Sequence, residues 1–132
     1  WPVEAAARVD EGLGDANRAA APLHEVQPLG CFACDAQGTV MGGAVGRRWG
    51  GCCELQQLWV APEHRRRGLG AALVARFEAH AMGHGCTVLY LETFSFQAPR
   101  LYASLGYAVA HESAHFPHGI RRFLMEKTLS AG

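Results

Sequence analysis

The stretch LWVAPEHRRRGLGAALV, residues 58–74, passes from an apolar run through three arginines and two glycines into a segment rich in alanine and leucine. How it is read decides the fold. Val60 ends the segment CCELQQLWV (52–60), which is apolar at both ends. Beyond the turn, Leu69, Leu73, Phe77 and Ala81 recur at i, i+4 spacing. That spacing predicts a helix with one core-facing side, stopped by Gly83 or Gly85. CTVLYLET (86–93) follows as a nearly unbroken, β-rich apolar run, which predicts a strand covered on both sides. A strand, a turn, a helix and a second strand of these lengths imply that the two strands run parallel.

The turn itself has unusual chemistry. A helix start presents unpaired N–H groups and a partial positive charge, and so attracts anions. Gly68 and Gly70 let a ligand reach the backbone where Cβ atoms would obstruct it. Arg65, Arg66 and Arg67 add charge beside those amides. Together they predict a pyrophosphate cradle around 65–70, Leu69 included. It is not a P-loop, because no GxxxxGK is present, and the spacing differs from the dinucleotide GxGxxG. On this stretch alone, a solvated basic turn capping a helix reads equally well.

Outward from this centre, VEAAARVDEGLGDANRAAA (3–21) predicts a first helix, broken near Gly12 and Gly14. LGCFACDAQGTVMGGAVGRRW (29–49) reads as a hairpin turning at 35–38. Gly42, Gly43 and Gly46 in its second strand predict a bulge or a close backbone approach. In 52–60 the alternation fails at Gln56-Gln57, again as at a bulge. APRLYASLG (98–106) predicts a short helix with Pro99 in its first turn and Gly106 at its end. Two strands around YAVAH (107–111) and RRFLMEKTL (121–129) close a mixed α/β fold on one twisted sheet.

At 132 residues, 49% hydrophobic and 18% charged, the chain has the composition of one soluble domain spanning 1–132. Twelve basic residues balance twelve acidic ones. That balance argues against a nucleic-acid binder built on Arg47, Arg48, Arg65, Arg66, Arg67, Arg121 and Arg122. No window approaches a membrane span and no signal-peptide core is visible, which predicts a cytoplasmic location without a membrane partner. The chain opens at Trp1 rather than a methionine. Cys31, Cys34, Cys52, Cys53 and Cys86 lie in apolar runs and read as buried, reduced thiols. Cys31 and Cys34 fall on a strand, where positions three apart face opposite ways, so no metal site is expected from them.

Several of these features coincide in one family. Val60 and Pro62, then Arg65, Gly68 and Gly70, then Tyr102, Gly106 and Tyr107 resemble the signature elements of the GNAT superfamily of N-acetyltransferases, which bind acetyl-CoA. The resemblance covers about 29–129 and is most specific over 55–107. A small branch of that family carries a segment similar to Phe96-Gln97-Ala98-Pro99. The asparagine that the family often has seven residues before the tyrosine is Ser95 here, and the family's usual first strand is not visible before the first helix.

The resemblance implies a central sheet splayed at its middle, with helices on both faces. It implies direct acetyl transfer from acetyl-CoA to a primary amine of a small molecule, peptide or antibiotic. Main-chain groups of Leu58 and Val60 would hold the pantetheine arm, with Ser95 and Tyr102 near the cofactor. Tyr102 would be the acid that protonates the leaving thiolate. Glu92 and Glu54 are the leading carboxylates for the base, and each could instead face solvent or pair with an arginine. His111, His115 and His118, in HESAHFPH, would line the acceptor pocket. A GNAT-fold sensor that binds acyl-CoA without turnover stays open, as does a homodimer.

Overall fold

The computed structural model describes residues 1–130. Helix α1 (Val3–Ala20) runs unbroken through Gly12 and Gly14, contrary to the expected break. Glycine weakens a helix interior by about 1 kcal/mol against alanine but does not forbid it, and the surrounding alanines favour continuation. None of its residues is buried. A single helical turn at Leu23–Glu25 leads into strand β1 (Gln27–Cys34).

β1 and β2 (Val40–Trp49) form the expected hairpin. The Asp35 carboxylate accepts hydrogen bonds from the amides of Gln37 and Thr39, both at 2.9 Å, and Gly38 takes the positive φ that the turn requires. Then come β3 (Cys52–Val60), α2 (Leu69–Gly83), β4 (Val88–Phe94), α3 (Pro99–Ser104), β5 (Ala108–Ser113) and β6 (Arg122–Thr128). The sheet order is β1-β2-β3-β4-β6-β5, with β3 and β4 parallel and the other pairs antiparallel. The α2 crossover supplies the parallel pair, as the pattern over 52–93 requires.

The core lies on one face of this sheet. Leu73, Val74, Phe77 and Ala81 of α2 pack with Cys31, Ala44, Cys53, Leu55, Leu89, Leu91 and Met125. Gly46 makes that packing possible, since a Cβ there would collide with the Glu54 carbonyl. The expectation that β4 is covered on both sides fails. Leu89, Leu91 and Thr93 are buried, whereas Val88 and Glu92 are exposed. On the far face the turn at Leu23 lies near Trp49 and Tyr90, but α1 brings no buried residue to cover it. Cysteine burial is likewise uneven. Cys31, Cys53 and Cys86 are buried and Cys34 is exposed at the end of β1, because positions three apart on the strand face opposite ways.

Candidate active site

The site begins where β3 and β4 part. They pair from Cys52↔Val88 to Leu55↔Leu91 and no further, although both strands continue. Val45 of β2 faces Gln57, and the next residue, Gly46, faces Leu55, so Gln56 is an extra residue in β3. This bulge falls where the alternation failed in the sequence, and it bends β3 away from β4. Beyond it β3 stays bound to β2 as far as Gly42↔Val60, and β4 stays bound to β6 as far as Phe94↔Arg122. Two strand edges therefore face each other across a cleft of about 400 Å³, lined by Gln56, Gln57, Leu58, Glu92, Gln97 and Tyr102 among others. Unpaired backbone groups along such edges are ready to bond an extended ligand.

Tyr102 stands in this cleft, on α3. Its side chain is 7% exposed, and burial pushes its hydroxyl up to about 12, so the ring stays protonated throughout the neutral range. The ring meets Tyr107 edge to face, with centroids 5.8 Å apart. The Tyr107 hydroxyl donates to Glu78 of α2 at 2.8 Å, and Lys127 donates to both oxygens of that carboxylate at 3.0 and 3.1 Å. Burial, then the Glu78 carboxylate, push the Tyr107 hydroxyl up as well. A half-buried ion pair between α2 and β6 thus fixes the ring against which Tyr102 packs. Pro99 and Gly106 bound this segment as the sequence predicts, and Gly106 adopts a positive φ of 95°.

The arginine turn lies at the far end of the cleft. After a helical turn at Pro62–His64, Arg66 and Gly68 take positive φ, 64° and 77°. Gly68 is the N-cap of α2, and no side chain caps that helix. Ala72 donates to the Gly68 carbonyl, which leaves the preceding N–H groups of Leu69, Gly70 and Ala71 directed out of the helix start. They face a recess of about 260 Å³ lined by Val60, Arg65, Arg66, Gly68, Gly70 and Leu101. Nothing lies within 4 Å of where a Gly68 Cβ would be, so the approach is open. Arg65 donates from Nε to the Val60 carbonyl at 2.8 Å, bracing the turn against the end of β3. Arg67 is exposed and outside the recess lining.

The two carboxylates part company. Glu92 faces the cleft beside Tyr102, with Arg122 Nε 3.8 Å away. Glu54 is bound by Arg47 at 2.9 Å and lines a different recess with Trp49 and Tyr90, so the structure does not bring it to Tyr102. Position along the strand is the reason: Glu54 shares a face with Glu92 but precedes the bulge, on the half of β3 still paired with β4. Ser95 lies outside both recess linings. Its oxygen accepts from the Arg121 amide at 3.0 Å and its own amide donates to the Arg121 carbonyl, which ties this turn to the start of β6. His111 lies within β5, while His115 and His118 occupy the connection to β6. Opposite Leu124, which itself faces Glu92, His111 completes a row across the exposed face.

Among the described residues no three metal-ligating side chains converge. Burial raises the Cys31 and Cys52 thiols and pushes that of Cys53 up to about 12, so these are protonated thiols rather than nucleophiles. Residues passed over in the sequence also gather here. Trp59 lines the cleft, and Phe94, two positions beyond Glu92 on β4, packs against Phe96 and Phe116. Their signal was an aromatic at the end of each parting strand.

The comparisons with known proteins agree with this arrangement. The model of the "Acetyltransferase (GNAT) family" matches residues 4–107. A blasticidin-S acetyltransferase of Streptomyces morookaense is 38% identical over 112 residues, covering 82% of each chain. An uncharacterized N-acetyltransferase of Schizosaccharomyces pombe is 32% identical over 113 residues, covering 83% of this chain and 68% of its own. A crystal structure of an acetyltransferase from Bacillus cereus has the same fold, with a TM-score of 0.79 at 24% identity over 98% of this chain and 94% of that one.

Proposed function

The chain belongs to the GNAT acetyltransferase family and is an N-acetyltransferase, and from that premise we propose that it moves an acetyl group from acetyl-CoA directly to a primary amine of a small molecule. The observation that carries this reading is the fork between β3 and β4, with Tyr102 inside it and the uncapped start of α2 at its end. The helix-start amides at 69–71, with Arg65 and Arg66, hold the pyrophosphate. Arg67 adds long-range charge, and the β3 edge at Leu58 and Val60 bonds the amide-bearing arm. Glu92 is the base that takes a proton from the acceptor ammonium. The amine nitrogen attacks the thioester carbon as the carbon–sulfur bond breaks. Tyr102 stabilises the charge growing on sulfur and supplies its proton, and the second proton that the nitrogen sheds as the amide forms returns to Tyr102 through water.

Glu54 is left out of this scheme because Arg47 engages it on the other side of the fork. Of the three histidines, His111 has the strongest geometric claim on the acceptor, since it shares a row with Glu92. Blasticidin S, the compound named for a relative, is the first acceptor to try. Free thiol should appear only when acetyl-CoA and the amine are both present, in step with an acetylated product seen by mass spectrometry. Binding of acetyl-CoA without turnover of any amine tried would replace the enzyme by a sensor.

A further inference from the structure

The exposed face of the open fork carries aromatic rings on both sides. Residues opposite each other in antiparallel register share a face of the sheet. Gly43 faces both Phe32 and Trp59, so these two lie on one face, away from α2, and a Cβ at Gly43 would strike the Phe32 ring. Phe32 is 63% and Trp59 50% exposed. Across the fork, Phe94 follows Glu92 by two positions on the same face of β4. Phe96 stacks on Phe94 at 5.3 Å and 12° between planes, yet remains 67% exposed. Phe116 meets Phe94 edge-on at 5.4 Å, which fixes that pair from behind.

We propose that this face is the acceptor subsite, and that the acceptor it takes carries an alkylammonium group on a molecule whose planar aromatic or heteroaromatic ring lies against Trp59 and Phe96. The inference rests on the acetyl-transfer reading and narrows its substrate class. Large rings held open to water on one face of the sheet, on either side of the fork, are a surface left for a ligand, and a stacked, pre-fixed ring loses little freedom on binding. Glu92, which lines the cleft on the same face with Arg122 3.8 Å away, supplies the opposite charge for an ammonium group. An aliphatic acceptor would use the apolar area but gain nothing from the flat ring faces.

The test compares phenethylamine with cyclohexylethylamine, which match in size and amine placement but differ in the ring. With acetyl-CoA saturating, kcat/KM should favour phenethylamine by roughly two- to tenfold, the range of an aromatic pair. Phe96→Ala should raise its KM and erase the preference with kcat and acetyl-CoA Kd unchanged, Trp59→Ala should likewise erase the preference, and Trp59→Phe should restore it. Both side chains are exposed, so these variants keep their fold. Equal or reversed preference, preference surviving both alanine variants, or faster turnover of a ring-free alanyl peptide overturns the inference while leaving acetyl transfer intact. If no amine yields thiol at all, the acetyl-transfer reading falls, and this one with it.

Discussion

The two halves of the β3–β4 pair are built from the same strands and behave oppositely. From Cys52 to Leu55 the strands are bonded to each other and roofed by α2, with Cys53, Leu55, Leu89 and Leu91 buried. From Gln56 onward they are bonded only to their outer neighbours, and Gln56, Gln57 and Glu92 are exposed. One extra residue separates a core from a site. The lesson is that the cleft needs no insertion or lid, because a bulge redirects backbone hydrogen bonding and leaves two edges to be satisfied by a ligand.

Three changes would break or sharpen that contrast. In the open half, Tyr102→Phe removes one hydroxyl and keeps the ring against Tyr107. Turnover should fall ~10²–10⁴-fold, the usual contribution of a positioned acid, with the acetyl-CoA Kd nearly constant because the phosphates bind at 65–70. Steady-state rates and calorimetry separate these quantities, and unaltered kcat would remove Tyr102 from the chemistry.

In the closed half, Gly46→Ala drives a methyl group into the Glu54 carbonyl and against Phe77. The cost should be about 3 kcal/mol or more in denaturant melts, since neither backbone nor packed ring can move aside cheaply. A loss below roughly 1 kcal/mol would mean that β2 and β3 are looser here than their register implies.

The smallest effect concerns pH. The folded state holds the Tyr102 proton up to about 12, whereas an unfolded tyrosine releases it near the ordinary value of 10. The raised value means that this contribution is fully present below pH 10 and is lost as pH climbs to 12. Over that interval wild type should lose roughly 2 kcal/mol more stability than Tyr102→Phe, at 1.36 kcal/mol per pH unit before screening. Chemical melts at the two ends of the interval measure the difference. Parallel curves would show that the Tyr102 hydroxyl is not buried as described.

Much of this was legible in the sequence. The spacing of Leu73, Phe77 and Ala81 determined the core face of α2, and the Gly68–Gly70 turn determined an uncapped helix start, because periodicity and glycine chemistry are local. The failed alternation at Gln56-Gln57 even marked the bulge. Local pattern misled where cover comes from elsewhere in the chain. CTVLYLET reads as a strand roofed on both sides, but α1, an alanine-rich helix continuous through two glycines, roofs nothing. Only the tertiary structure decided which glutamate meets Tyr102. Glu54 and Glu92 are alike in sequence, both acidic positions among strand residues. The parting of β3 and β4 gives Glu92 to the cleft, while β2, through Arg47, claims Glu54. The placing of Trp59 on one side of the fork, with Phe94 and Phe96 on the other and the same face of the sheet, has the same origin, since only strand register sets which face each side chain takes.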